Sequence, residues 1–228
     1  GVSAPNAPGC VYSSFSKVQP ETSVNFDIGY RYTTDMVQAS ISAYNTQFKN
    51  RIVTSFDQDQ GISIDRNIGS VNVDGVDAEA NIIFLPEFSL YNSISYEHSR
   101  VSSSPFSTIH LNSGGPGIDL AGNEVVETPR WTVAQLYQYQ DENWTLGIGG
   151  KFVGSRFATD ANDLKVPSYV TVDTDVTYRL DQLGWKDAYL KLNVYNLLNE
   201  RYLGSISSKP CIRPDLPSSS GCGSYPSF

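Results

Sequence analysis

The chain has 228 residues and a formal net charge of −8. No stretch reaches the about 18 consecutive apolar residues of a membrane-spanning helix, and the negative charge argues against a nucleic-acid partner. A membrane barrel stays open on this composition, because each of its strands needs apolar residues only at alternate positions.

The dominant period is two. The first predicted strand places Val24, Phe26, Ile28, Tyr30 and Tyr32 on one face and Asn25, Asp27, Gly29 and Arg31 on the other, and Thr33-Thr34-Asp35 turns the chain. A second strand is predicted from Met36 to about Val53, with Val37, Ala39, Ile41 and Ala43 on its apolar face. A third runs from about Ile64 to Phe84, setting Val76, Ala78, Ala80, Ile82 and Phe84 against Asp77, Glu79 and Asn81. The fourth, about Phe88 to Val101, alternates Leu90, Ile94 and Tyr96 with serines. The long aperiodic segment Ser102 to Glu127 carries Gly114-Gly-Pro116-Gly. The fifth strand, about Thr128 to Tyr139, has no unique register. In the sixth, Trp144, Leu146, Ile148 and Phe152 oppose Thr145, Gly147, Gly149 and Lys151, and Ala158 to Pro167 reads as a loop. The seventh sets Val170, Val172, Val176, Tyr178 and Leu180 against Thr171, Asp173, Asp175, Thr177 and Arg179. The eighth follows the turn Asp181 to Asp187 and is predicted to run to about Leu203. Ser205 to Phe228 is aperiodic, and no helix of useful length is expected.

Connections alternate between short (after the odd strands) and long (after the even ones), the asymmetry of outer-membrane barrels. Several strands exceed the usual length of about five or six residues in globular sheets and reach the about nine to eleven that cross a bilayer. Aromatic pairs flank each short turn: Tyr30 and Tyr32, Phe84 and Phe88, Tyr139 and Trp144, Tyr178 and Trp185. Rings at that level suit the headgroup region of a bilayer, although cross-strand aromatic pairs also occur in ordinary sheets. The competing soluble architecture, a secreted β-sandwich that binds carbohydrate or protein, would bury the apolar face against a second sheet.

Candidate chemistry is sparse. No nucleophile elbow, phosphate-cradling glycine loop or His-Glu-x-x-His motif is present, so no catalytic residue, metal ligand or cofactor is assigned. His98 and His110 flank a serine-rich stretch and read as surface histidines. Asp57-x-Asp59-x-Gly61…Asp65 has calcium-like spacing without the closing glutamate, and Asp160-x-Asn162-Asp163 is no better; both read as solvated loops. Of the three cysteines, Cys211 and Cys222 are candidates for a disulfide across a small loop. Cys10 is then odd and would pair upstream; the alternative is three free thiols in a reducing compartment. Gly1-Val-Ser-Ala-Pro lacks the basic start and apolar stretch of an export signal, so an exported chain of this kind is expected to be processed or part of something longer.

Several of these runs resemble TonB-dependent outer-membrane receptors. Pro20-Glu21-Thr-Ser23…Gly29-Tyr-Arg31 is similar to their Pro-Glu-x-Ser…Leu-Gly-x-Arg strand, and Ala43-Tyr44…Phe48-Lys-Asn50-Arg51-Ile52 to the strand that follows. Asn67-Ile-Gly69 through Val73-Asp-Gly75-Val-Asp77-Ala-Glu79, Thr128-Pro129 before Trp131, and Asn193-Val-Tyr-Asn196-Leu-Leu-Asn199-Glu-Arg-Tyr202 continue the match in family order. The resemblance covers about Pro20 to Tyr202.

The resemblance implies an all-β fold: an antiparallel transmembrane barrel of about 22 strands filled by a plug, of which residues 1–228 would supply about eight strands from the C-terminal part, without the plug or the last strand. Residues 1–19 and 205–228 would be extracellular loop segments, and Phe228 is not read as the end of a closing strand. The location implied is the bacterial outer membrane. The partners implied are its lipid, the plug and through it TonB, and a small nutrient: a siderophore, haem, a vitamin, an oligosaccharide or a peptide. Asp77, Glu79, Asp173, Asp175 and Arg179 are expected to face the plug or line the permeation path. A free-standing eight-stranded barrel and a passive porin are the alternative membrane readings.

Overall fold

The computed structural model describes residues 19–57, 62–67, 69–103, 120–159 and 162–206, with the backbone alone for 53–57 and 62–66. Eight strands form one antiparallel meander: β1 (Thr22–Thr33), β2 (Val37–Lys49), β5 (Ser70–Leu85), β6 (Phe88–Ser103), β7 (Trp131–Gln140), β8 (Trp144–Val153), β11 (Tyr169–Arg179) and β12 (Tyr189–Val194). Two hairpins are inserted at the long-connection end: β3 (Ile52–Asp57) with β4 (Ile62–Asn67), and β9 (Arg156–Phe157) with β10 (Lys165–Val166). β1 and β12 are the two edges, so the sheet is an open arc. Only a single 3-10 turn, Asp181–Leu183, interrupts the strands among the described residues, and no helix is long and apolar enough to cross a membrane.

Side-chain acceptors close the short turns. Thr34 Oγ1 accepts the Val37 N–H, and Asp141 accepts the N–H groups of Asn143 and Trp144 while Tyr139 Oη donates to its other oxygen at 2.8 Å. The Trp144 N–H, then the Asn143 N–H and the Tyr139 hydroxyl, hold the Asp141 carboxyl below its usual range. Short polar residues thereby satisfy backbone donors that the reversal leaves without strand partners.

The registers sort every strand onto two faces. One row across the sheet reads Tyr30, Ile41, Ala78, Ile94, Val133, Phe152, Val170; another reads Val37, Ile82, Leu90, Tyr137, Ile148. Among the described residues this apolar face has no second layer over it. Phe26 is 67 % and Ile148 48 % exposed, values that would be ruinous in water for so continuous a patch. The buried core cluster lies at the loop end, where Val71, Val101 and Leu120 gather with Phe48, Val73 and Val125. The described strands form a single eight-stranded sheet plus two small hairpins, without the second packed sheet that a β-sandwich has.

Aromatic rings bound the apolar face above and below. Phe84, Phe88 and Tyr139 stack in series at 5.7 and 4.9 Å between centroids near the short turns, with Trp144 on Tyr178 at 4.5 Å; Tyr96 meets Trp131 at 4.7 Å at the other end. Phe88 and Tyr96 stand eight positions apart on β6, and Trp131 and Tyr139 likewise on β7. At about 3.4 Å per residue that is about 27 Å along the strand, or about 21 Å of height at a tilt of about 40°. The two rings thus stand slightly closer than the about 25 Å apolar band of outer-membrane barrels. Beyond the upper ring the same face turns polar at Asn45, Asp74 and His98.

Three predicted boundaries move. The second and third strands are not continuous through 50–69: Asn50 and Gly69 take positive φ (55° and 104°) and fold β3–β4 out as a separate hairpin. The eighth strand ends at Val194 rather than near Leu203, because Asn196 and Asn199 turn into the left-handed region. The loop 158–167 contains β10, which pairs with β9. The register of β7 is also settled, with Trp131, Val133, Tyr137 and Tyr139 on the apolar face.

The two-face division makes an asymmetric prediction for adjacent residues of β6. Ile94→Lys should destabilise the membrane-embedded protein by about 2–4 kcal/mol. Ser93→Lys, on the polar face opposite Glu79, should change stability by less than about 1 kcal/mol. Thermal unfolding in detergent or lipid reads both, and equal effects would refute the division.

Candidate functional site

The polar face carries Asp27, Asp77, Glu79, Glu97, Asp173 and Asp175 against Arg31, Lys151 and Lys191. Its carboxylates are met mainly by hydroxyls. Ser95 Oγ donates to Asp77 at 2.6 Å; Ser40 Oγ and Tyr91 Oη donate to the two oxygens of Glu79 at 3.0 and 3.5 Å; Tyr44 Oη donates to Glu97 at 3.4 Å. None of these carboxylates has an ion-pair partner among the described residues; the pairs present are Arg51–Glu21, Arg130–Glu124 and Arg179–Asp181. The wall is therefore anionic, with lone pairs left over for a cationic or hydrogen-bonding occupant.

The expected site residues divide into four placements. Asp77 and Glu79 lie together on β5 beside the Ser40, Tyr91, Ser93 and Ser95 hydroxyls. Asp175 lies over Gly147 of β8, where an added Cβ would fall 2.3 Å from its Oδ1; glycine at this position makes room for the carboxylate. Asp173 has a structural task, since its Oδ1 accepts the Asn196 N–H at 2.7 Å and holds the chain as it leaves β12. Arg179 stands apart at the short-turn end, 2.9 Å from Asp181.

Sequence reasoning passed over Tyr44 and Glu97. Gly75 is paired with Tyr44 in the register, and a Cβ there would lie 2.1 Å from the Tyr44 ring. The ring thus lies flat over the glycine and presents its hydroxyl to Glu97 on the next strand. A glycine inside a long strand was the available signal, but its cross-strand partner is known only once register is known. Arg156 was also passed over; it is buried beneath the segment after β12.

The quoted motif residues turn out to be latches at the long-loop rim. Glu21 accepts the Ile52 N–H at 2.8 Å and Arg51 Nη1 at 2.7 Å. Asn67 donates to the carbonyls of Asn50 and Gln19 and accepts the Gln19 N–H, tying the base of the β3–β4 hairpin to the start of β1. Asn196 clasps Glu200 through both its amide and its carbonyl, and Tyr202 stacks on Tyr169 at 4.2 Å. His98 lies on the apolar face above the upper ring, opposite Asp74. His110, Cys10, Cys211, Cys222, the carboxylates of the 57–65 loop and Asp160 lie outside the described residues and side chains. Asn162 and Asp163 serve the β9–β10 turn, where Thr159 Oγ1 donates to Asp163 and Asn162 bonds Glu124. No group of three or more metal-ligating side chains occurs among the described residues.

Residues 3–197 match the family model of the TonB dependent receptor-like β-barrel. The chain belongs to the TonB-dependent receptor family. Among curated relatives it is 22 % identical to the ferrichrome outer membrane transporter/phage receptor of Escherichia coli K12, over 82 % of this chain and 24 % of that protein. It is 28 % identical to the ferrioxamine receptor of Yersinia enterocolitica, over 61 % of this chain and 18 % of that protein. The chain thus spans about a quarter or less of the length of these relatives. The crystal structure of the ferric yersiniabactin uptake receptor FyuA of Yersinia pestis superposes with a TM-score of 0.63 at 21 % identity, covering 80 % of this chain and 26 % of that one. The fold is that of a TonB-dependent barrel, the location is the Gram-negative outer membrane, and family members are receptors and transporters rather than enzymes.

The Glu21 latch titrates. The Ile52 N–H lowers the carboxyl most; partial burial opposes it, and Arg51 adds to the lowering. A folded value below the unfolded one contributes stability at pH above the ordinary carboxylate value of 4.5, and that contribution is lost as the pH falls through the folded value. Protease cleavage within 52–67 should therefore accelerate on acidification below about 4.5, and Glu21→Gln should show the fast rate already at neutral pH. A rate that does not respond to pH in the wild type, or to the substitution, would show that Glu21 is not the pin.

Proposed function

We propose that this chain is the barrel wall of an active-transport receptor. The intact protein would bind a scarce nutrient at the outer surface and admit it when TonB energy displaces the plug. The observation that carries this reading is the family match over residues 3–197 of a sheet with one apolar, ring-bounded face and one anionic face. The relatives named for ferrichrome, ferrioxamine and ferric yersiniabactin favour a ferric siderophore over haem, a vitamin, an oligosaccharide or a peptide.

Within this reading, Asp77, Glu79 and Asp175 hydrogen-bond a plug or line the path it uncovers. Their lone pairs are incompletely used, and their neighbours donate hydroxyls rather than countercharges, so a plug surface of donors and cations complements them. Asp173 belongs to the same wall but is engaged by Asn196, and Arg179 by Asp181.

The experiment is uptake of radiolabelled ferric siderophores by cells that carry the intact receptor, with and without TonB. Energised uptake should vanish without TonB; uptake that persists would identify a passive porin. Asp77→Lys with Asp175→Lys should cut uptake at least about tenfold and loosen the plug towards protease. Unchanged uptake together with unchanged plug retention would remove these carboxylates from the plug contact.

A further inference from the structure

Arg156 is the one buried cation of the described residues, 6 % exposed. It sits in β9, just beyond the end of β8, and its Nη2 donates to the Leu203 carbonyl at 2.6 Å. Its guanidinium lies 5.8 Å from the centroid of the Tyr169 ring. Nη1 is also buried, yet it has no hydrogen-bond partner among the described residues. A guanidinium N–H group removed from water without an acceptor carries its full desolvation penalty, and such orphans are rare enough to demand an explanation.

A cavity lies beside the side chain. It measures about 320 Å³ and lies between the lumen-facing ends of β7, β8 and β11 and the segment that follows β12, lined by Thr132, Lys151, Val153, Arg156, Tyr169 and Ser205. Lys151 points inward from β8, opposite Thr171, and has no ion-pair partner among the described residues. Two cations of different chemistry therefore line one cavity: a planar guanidinium and a flexible ammonium. Thr132, Tyr169 and Ser205 line it too. Glu127 also lines the cavity, so the net positive charge is modest. That balance suits one carboxylate group rather than a polyanion, and it contrasts with the anionic wall deeper in the lumen.

We propose that Arg156 and Lys151 form an anion subsite at the outer mouth of the lumen that takes a carboxylate group of a small chelating molecule. The assignment rests on the ligand-binding reading above and gives it a charge preference: a carboxylate chelate enters at the cationic rim before it meets the carboxylates below.

The test is calorimetric titration of the purified intact receptor in detergent with citrate, ferric citrate and inorganic phosphate. Citrate or ferric citrate should bind the wild type saturably. Affinity should fall at least about tenfold in Arg156→Gln and severalfold in Lys151→Gln, with partial recovery in Arg156→Lys. Lys151 is exposed, so its variant keeps the fold if loss of the buried arginine does not. Absence of saturable binding by the wild type, or equal affinities in wild type and Lys151→Gln, would overturn the subsite; phosphate binding as tight as citrate would overturn the carboxylate assignment. TonB-dependent uptake is scored separately. Uptake intact with no anion binding refutes the subsite alone, whereas anion binding intact with uptake independent of TonB refutes the transport reading alone.

Discussion

Every backbone N–H and C=O in the hydrocarbon layer must find a partner within the protein, because lipid offers none. That constraint shapes the whole molecule. It requires long antiparallel strands with uninterrupted ladders between the two aromatic rings, and it confines every irregularity to the ends. The six strands β1, β2, β5, β6, β7 and β8 pair without a break across the belt, and the bulges of the β5–β6 ladder fall at Ser70/Val71 and Ile83/Leu85, near its two ends. Above the start of β7, β6 would lose its partner; the segment 120–125 takes over, with Val101 bonded to Asn123 and Gly122, and Val125 to Ser99.

The same constraint explains why the motif residues lie where they do. At the long-loop rim the strands must release the chain into loops without leaving donors empty. Glu21, Asn67, Asp173 and Asn196 each supply a side-chain acceptor to a backbone N–H at such a point. Asn50, Asn196 and Asn199 adopt positive φ, which asparagine tolerates better than most residues. The family signature is thus largely a record of how strands end, and it says little about what the receptor binds. Arg156 and Lys151, which no motif marks, lie outside that signature.

The polar face follows a different logic. A face turned away from lipid can carry charge, and this one pairs its carboxylates with serine and tyrosine hydroxyls instead of lysine and arginine. Such contacts hold the side chains in place while leaving their negative charge uncompensated. Arg156 and Lys151 line a separate cavity towards the long-connection end, which Glu127 shares.

Period-two alternation is a local property, and one solvent on each face is enough to produce it. Strand existence, the apolar set of each strand, the short-turn and long-loop sides, and the membrane environment were therefore legible from residues such as Val24 to Tyr32 and Val170 to Tyr178. Strand ends were not: Asn50 and Asn196 belong to stretches that still alternate, and only their positive φ shows that the ladder has stopped. Nor could the alternation reveal which residues meet across strands. Tyr44 over Gly75, Asp175 over Gly147, and Arg156 under Leu203 join positions 28 to 47 residues apart, and register and loop return, which depend on the whole sheet, bring them together. By itself the sequence determined the two solvents and the family; the tertiary structure decided which carboxylates are engaged and which cation is buried with an unpaired N–H, because both depend on residues brought together by register and loop return.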